Sequence, residues 1–329
     1  MEQTPITVSA DKIVGRKKRP MLVDLGIRLL KEKPLGTVGG AIVLILFLSG
    51  IFADLIAPFG YNEIMVGIRL SPPSAANLLG CDNVGRDLLS RIIYGARISM
   101  IVGVGATSIF TLVEILVGVP SAYFGGKYDI IVQRFVDAFL CFPPLILYLT
   151  VMAVLGAGML QVIIVLGITG GIRGSRTVRS AVIGMKENMY IDAARAIGAP
   201  TERVLLRHIL PNIMPIIIIE FTLSMGRMIL SEATLSFLGF GIPPPTPSWG
   251  GMLSGSGRLY MIQAPWMCLW PGLALSVAVY GINMLGDAVR DLWDPRLRGG
   301  LGRYGGVKLK KDVMEKIRES SETEAESLE

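Results

Sequence analysis

The chain has 329 residues, of which 51% are hydrophobic, with a formal net charge of +6 and a mean hydropathy of +0.56. A soluble domain of this length rarely reaches that hydropathy, so the composition points to a protein that lives in lipid. One histidine cannot complete a zinc or other metal cluster with three widely separated cysteines, which excludes a cysteine–histidine metal centre and reads as three free thiols, with Cys81 and Cys268 able to pair in principle.

Residues 1–34 form a basic lead that the topology below makes cytoplasmic. Residues 35–53 then carry no charge over nineteen positions, enough helix to cross a hydrocarbon core of about 30 Å. No convincing cleavage pattern follows, so the segment reads as an uncleaved signal anchor. An outer loop is expected over 57–97 and a second span over 98–124, interrupted only by Glu114. Residues 127–140 alternate Asp129, Gln133 and Asp137 with Ile130, Ile131 and Phe135 at helical spacing, and should lie along the membrane surface. Pro143-Pro144 redirects the chain into the uncharged run, which must fold back at Gly156-Ala157-Gly158 to give spans near 141–157 and 160–184. A cytoplasmic loop follows at about 185–211, a fifth span at 212–235, an outer loop at 240–266 and a sixth span at 267–288. The expected fold is thus an all-α integral membrane protein with a transmembrane domain over 35–290 and both termini on one side, followed by a charged tail over 291–329 whose end lacks apolar periodicity and reads as disordered.

Basic residues set the orientation. With the N-terminus inside, cytoplasmic segments hold Lys12, Arg16 to Arg19, Arg28, Lys31, Lys33, Lys127, Arg134, Arg173, Arg176, Arg179, Lys186, Arg195, Arg203 and Arg207, whereas the outside keeps Arg69, Arg86, Arg91, Arg97 and Arg258. The positive charge is explained by this topology and by anionic inner-leaflet lipid. No aromatic-rich soluble module accompanies it, so nucleic acid is not an expected partner.

Charges within the fifth span stand out. Glu220 and Arg227 are two helical turns apart, roughly on one face, with Glu232 nearer the outer end. A charge at mid-membrane costs about 2.5 to 3.5 kcal/mol on insertion scales, so this face should meet a wet pathway or a partner rather than lipid. A pore wall and a charge pair buried for assembly are both open readings, for these residues and for Glu114. Trp249, with Tyr260, Trp266 and Trp270, suggests a rim of amphipathic rings at the outer face, read either as an aromatic belt or as a docking surface.

The cytoplasmic loop is the most informative segment. Tyr190 to Ile197 are good helix formers, Gly198 sits where a left-handed C-cap is cheapest, and Ala199-Pro200 restarts the chain with Pro at a first helical turn. Helix, elbow, helix is the expected shape. Ala193, Ala194, Ala196 and Ala199 keep the first helix thin enough for close approach by another protein.

Asp192-Ala193-Ala194, then Gly198, then Leu210-Pro211 closely resemble the loop of bacterial and archaeal ABC importer permeases, whose pattern is Glu-Ala-Ala, three residues, Gly, nine residues, Ile, one residue, Leu-Pro. Asp192 replaces the first Glu and His208 stands where Ile is usual. Leu79-Gly80-Cys81-Asp82, Gly85-Arg86-Asp87 and Ser90-Arg91 resemble a stretch found in the dipeptide, oligopeptide and nickel branch, with Cys81 in place of Thr, and the proline-rich run ending Ser248-Trp249-Gly250-Gly251 is similar to another hallmark of that branch. The resemblance covers about residues 35–300. It implies the type I ABC importer permease fold in the inner or plasma membrane, and one of two homologous permease subunits in a heterodimer. Two cytoplasmic ATP-binding subunits, which bind ATP and Mg, would sit below and an extracytoplasmic solute-binding protein above. Asp192, Ala193, Ala194, Gly198, Leu210 and Pro211 would couple the chain to the ATPases, Glu220, Arg227 and Glu114 are candidates for the pathway, and Asp82, Arg86, Asp87 and Trp249 for contact with the binding protein or, for the charged residues, for a self-satisfied network that orders their loop.

No catalytic apparatus is expected. The phosphate-cradle pattern is absent, since Gly126-Lys127 is followed by Tyr128 and lacks the earlier Gly, and a single His in the cytoplasmic loop supports no Ser/His/Asp set. The chain is expected to bind no cofactor or metal of its own. Peptides are the first substrate class, nickel chelates or oligosaccharides the alternatives. An ion-coupled secondary transporter is the rival from another class, although no duplicated midplane site is visible.

Overall fold

The computed structural model describes residues 21–293. One compact unit runs to Val289, and a second, from Arg290, lies almost wholly outside the described residues, as do the start of the basic lead and the acidic tail. In chain order the helices are α1 (Met21–Glu32), α2 (Pro34–Ile51), α3 (Ala53–Ile56), α4 (Leu88–Phe124), α5 (Gly126–Cys141), α6 (Pro144–Leu155), α7 (Met159–Lys186), α8 (Met189–Ala196), α9 (Thr201–Arg203), α10 (Leu210–Phe237), α11 (Trp249–Leu253), α12 (Ser256–Leu259) and α13 (Trp266–Trp293). Among the described residues there is no strand, only an isolated bridge between Cys81 and Asp87.

Four helical stretches are long and apolar enough to cross a membrane: Pro34–Ile51, Leu88–Phe124, Thr201–Phe237 and Trp266–Trp293. The pair α5 and α6, bent by 91°, is a fifth candidate. The expected third and fourth spans are where sequence and structure part. α6 has only 12 residues, about 18 Å of helix, because Pro144 opens it and Gly156, at φ +84°, closes it. α7 has 28 residues, but Arg173, Arg176 and Arg179 dilute its hydropathy, and part of its apolar surface, Val162 to Leu166 with Val178 and Val182, is buried against protein except at Ile164. The second span also starts earlier than expected: α4 begins at Leu88, capped by Asp87.

α4 and α7 form the central pair. Gly167, Gly170, Gly171 and Gly174 recur every three or four residues along α7, the spacing that lets two membrane helices approach closely. A Cβ on Gly171 would stand 2.6 Å from the Phe110 carbonyl oxygen, and one on Gly118 of α4 would stand 2.5 Å from that of Ser175. The two backbones therefore touch. On this pair rest two apolar clusters. One joins Val102, Ala106 and Phe110 to Tyr148, Met152, Leu166, Met228 and Leu235. The other joins Val119, Ala122, Val178 and Val182 to Ile191 of α8 and to Val204, Ile209, Ile213 and Ile217.

α5 turns its polar face to α7. Arg179 donates twice to the Asp129 carboxylate, at 2.8 and 2.6 Å, and the Ser121 hydroxyl donates to the same carboxylate at 2.5 Å. Arg176 pairs with Asp137. The opposite face, with Ile130, Ile131 and Phe135, is exposed, as an amphipathic helix along a membrane surface requires.

Candidate functional site

At one end of the molecule α8 forms the first arm of an elbow. Ile191 is wholly buried between α4, α7 and the chain after Val204, and Ala194 is buried beside it. Gly198 has φ +79°, its N–H donates to the Arg195 carbonyl at 2.9 Å, and the Ala199 N–H donates to the Ala194 carbonyl at 3.1 Å. Those two bonds are the Schellman closure of a helix, which needs a left-handed residue at this position. Asp192 lies in the first turn, exposed, and its carboxylate is 3.6 Å from Arg195, whose guanidinium covers the Tyr123 ring at 5.0 Å. Pro200 is the N-cap of α9 rather than its first helical residue.

The second arm does not stop at Leu210-Pro211. Helix is continuous from Thr201 to Phe237, and the turn before Pro211 widens to a π-helix over Val204–Ile209. Proline explains the widening: Pro211 has no N–H for the Arg207 carbonyl and its ring would collide with it in an ordinary α-turn. The Asn212 side chain donates instead to the neighbouring His208 carbonyl at 2.5 Å. Between the two arms lies a groove of about 500 Å³, lined by Tyr190, Ala193, Ala194, Ile197, Arg203 and His208. Ile197 stands 86% exposed at its rim, and Met189, which opens α8, is 87% exposed, so large apolar side chains face outward on a helix whose groove is kept shallow by alanine.

Residues 57–87 and the loop after α10 lie beside the other ends of the helices. Asp82 accepts from the backbone N–H groups of Val84 and Arg86 at 2.9 and 3.0 Å and from Arg86 Nε at 2.6 Å, with Arg91 Nε at 3.8 Å. Asp87 caps α4, accepting from the Ser90 N–H and hydroxyl at 2.8 Å each, and takes the Asn77 amide at 3.0 Å. Both carboxylates are buried. The charged network orders its own loop and leaves only Arg86 partly exposed. Trp249 departs from the rim expected of it: it is fully buried, its indole packs on Gly95, and its N–H donates to the Ile92 carbonyl. Flanking Gly250, which lies against the Ala233 backbone, lets the chain enter deeply enough to bury the ring. Trp249 and the two aspartates therefore present almost no surface to another protein. Cys81, Cys141 and Cys268 are free, and burial pushes the Cys81 thiol up.

Midway along the bundle, Glu220 and Arg227 do meet, at 3.3 Å, and Arg227 also donates to the Ser224 hydroxyl at 2.8 Å. They line a recess of about 520 Å³ with Phe110, Tyr148, Arg173 and Gly174. Glu114 stands just behind its wall, fully buried. Glu232 does not join them; it is buried with the Ser236 hydroxyl donating to it at 2.6 Å. Reasoning from sequence missed Arg173, Tyr148 and Gly174. The three- and four-residue glycine spacing on α7 was the available signal for where two backbones close up and where a gap opens beside them.

Residues 114–299 match the family described as the binding-protein-dependent transport system inner membrane component, and residues 24–73 match the N-terminal TM domain of oligopeptide transport permease C. The chain is 39% identical to the dipeptide transport system permease of Alkalihalophilus pseudofirmus, over 82% of this chain and 88% of that relative. This chain belongs to the binding-protein-dependent transport permeases. Other relatives agree: the oligopeptide transport system permease of Bacillus subtilis is 36% identical over 88% of this permease and 94% of its own length. The glutathione transport system permease of Escherichia coli is 37% identical over 83% and 90%. A subunit of the inward-facing MetNI methionine ABC transporter superposes with a TM-score of 0.50 at 16% identity, covering 62% of this permease and 96% of that chain. At that identity the likeness speaks for the fold, which is the type I ABC importer permease fold. The permease is a multi-pass membrane subunit of an ABC importer.

Proposed function

We propose that the permease forms half of the translocation pathway of an ATP-driven importer of di- and oligopeptides. It works with a homologous permease subunit, two cytoplasmic ATPases and an extracytoplasmic solute-binding protein. The elbow at Gly198 carries this reading. An exposed apolar rim, an alanine-floored groove and a rigid Schellman closure make a small, preformed surface for a partner to grip. The permease relatives named for dipeptides, oligopeptides and glutathione support a peptide as cargo.

In this mechanism closure of the ATPases moves α8, and Ile191 hands the displacement to α4, α7 and the helix that starts at Thr201. Because packed interfaces switch between discrete arrangements rather than bend, the bundle reorients its recess between the two sides. Uptake of a radiolabelled dipeptide into proteoliposomes holding the whole complex should need ATP inside and survive collapse of proton and sodium gradients. Uptake driven by either gradient without ATP would overturn the proposal.

A further inference from the structure

Glu114 has a carboxyl group with nothing to do. It lies on α4, one turn beyond Phe110, and is 0% exposed. Neither of its oxygens has a hydrogen-bond partner. Enclosing a carboxyl group without matching either oxygen is costly, and such groups in native proteins mark a missing partner. The cations close by are engaged elsewhere: Arg227 with Glu220 and Ser224, Arg173 with the carbonyls of Phe139 and Phe142 at 2.9 and 3.1 Å.

A single residue lies between the Glu114 carboxyl and the recess. A Cβ on Gly174 would stand 3.0 Å from Glu114 Oε2 and 2.6 Å from the Phe110 ring. Gly174 itself lines the recess of about 520 Å³, so the carboxyl is screened from that space by a residue without a side chain. The recess has the size of a small-ligand site. Its charged lining is one carboxylate, Glu220, and two guanidinium groups, Arg173 and Arg227, with the hydroxyls of Tyr148, Thr177 and Ser231 beside them.

From this juxtaposition we infer that Glu114 is the docking point for the free α-ammonium of a peptide held in the recess, with the guanidinium side of the recess facing the rest of the peptide. An ammonium offers three donors in a compact group, enough for both oxygens of one carboxylate and a further acceptor. A metal ion fits less well, because among the described residues no three His, Cys, Asp or Glu side chains gather to hold one. The inference rests on the peptide-importer reading and adds which end of the peptide the membrane subunit recognises.

The test omits the binding protein, whose own selectivity would mask that of the permease. Labelled trialanine is titrated onto the detergent-purified complex of permeases and ATPases, then competed with N-acetyl-trialanine and with trialanine amide. Trialanine and its amide should compete equally, and the N-acetyl peptide at least about tenfold more weakly, the loss expected for one charge-assisted contact. Glu114→Gln should lose that discrimination. Gly174→Ala, which keeps the carboxyl but sets a methyl group between it and the recess, should lose it too, in complexes that assemble as the wild type does. Equal competition by the N-acetyl peptide, unchanged discrimination in both variants, or no binding to the wild type would overturn the inference. So would a uniform loss of affinity for all three peptides, which marks Glu114 as a packing or subunit-contact residue. ATP-driven uptake by the same complex with the binding protein restored, measured separately, tells failure of this site from failure of the importer reading.

Discussion

The Trp249 indole N–H donates to the Ile92 carbonyl at 3.1 Å, fastening the start of α11 to α4 across 157 residues of chain. The ring has no exposed surface, and it lies on Gly95, where a Cβ would meet it at 2.9 Å. Trp249→Ala should therefore destabilise the subunit by about 3 to 5 kcal/mol. Trp249→Phe, which keeps most of the packing and gives up the hydrogen bond, should cost nearer 1 kcal/mol. Thermal melting of the detergent-purified complex orders the two. Equal melting temperatures for Trp249→Ala and wild type would contradict the burial described.

Gly198 is held at φ +79° with nothing within 4 Å of where a Cβ would stand, so a substitution there is opposed by backbone conformation alone. That strain is roughly 1 to 2 kcal/mol for an ordinary residue, and less for Asn. Gly198→Val should cut uptake at least about tenfold while the chain still inserts and is found in the membrane fraction. Gly198→Asn should retain most activity. Full uptake by the Val variant would show that the elbow is not the moving contact.

Asp87 closes the first turn of α4 and holds Asn77. Asp87→Ala should remove about 1 to 2 kcal/mol of helix-start stability and leave the Asn77 amide without that acceptor. Cleavage by a protease within residues 57–87 should become faster, with Asp87→Asn intermediate. Unchanged cleavage of the Ala variant would mean the loop is ordered by other contacts.

The Arg179 guanidinium beside Asp129 holds its carboxyl below the usual carboxylate range, helped by the Ser121 hydroxyl. The folded-state value is depressed, so the contribution to stability is complete above the ordinary aspartate value of about 4 and disappears as pH falls through the lowered one. Acid should loosen α5 from α7 in that window, read by quenching of a fluorophore placed on α5. The half-screened position keeps the effect modest. Asp129→Asn should be loosened already at neutral pH and show no further change on acidification; a variant with the wild-type acid transition would assign that transition to another group.

Charge-free length and helix chemistry made much of the fold legible. Residues 35–53 could be read because nineteen uncharged, mostly apolar positions have few alternatives, and α2 covers Pro34–Ile51. The elbow was legible because a left-handed cap has a local cause, and Gly198 adopts it. Trp249 was misread because an amphipathic ring suits an interface and a core equally, and only the depth at which Gly250 meets the Ala233 backbone decides between them. The early end of α6 and the interior placement of α7 depend on partners distant in sequence. Glu114 was recognised as anomalous, but its unmatched oxygens and its place behind Gly174 belong to tertiary geometry.

From Thr201 to Phe237 the backbone never leaves helical geometry, which makes a single axle roughly 55 Å long. Torque applied where α9 begins cannot be dissipated by an intervening loop. A roll of roughly ten degrees sweeps a side-chain tip through about 1 Å at a helix radius of 5 to 6 Å, and Glu220 and Arg227 ride on this axle while Glu114 stays with α4. Small twists at the Thr201 end would thereby retune the spacing of opposite charges far from where they are applied.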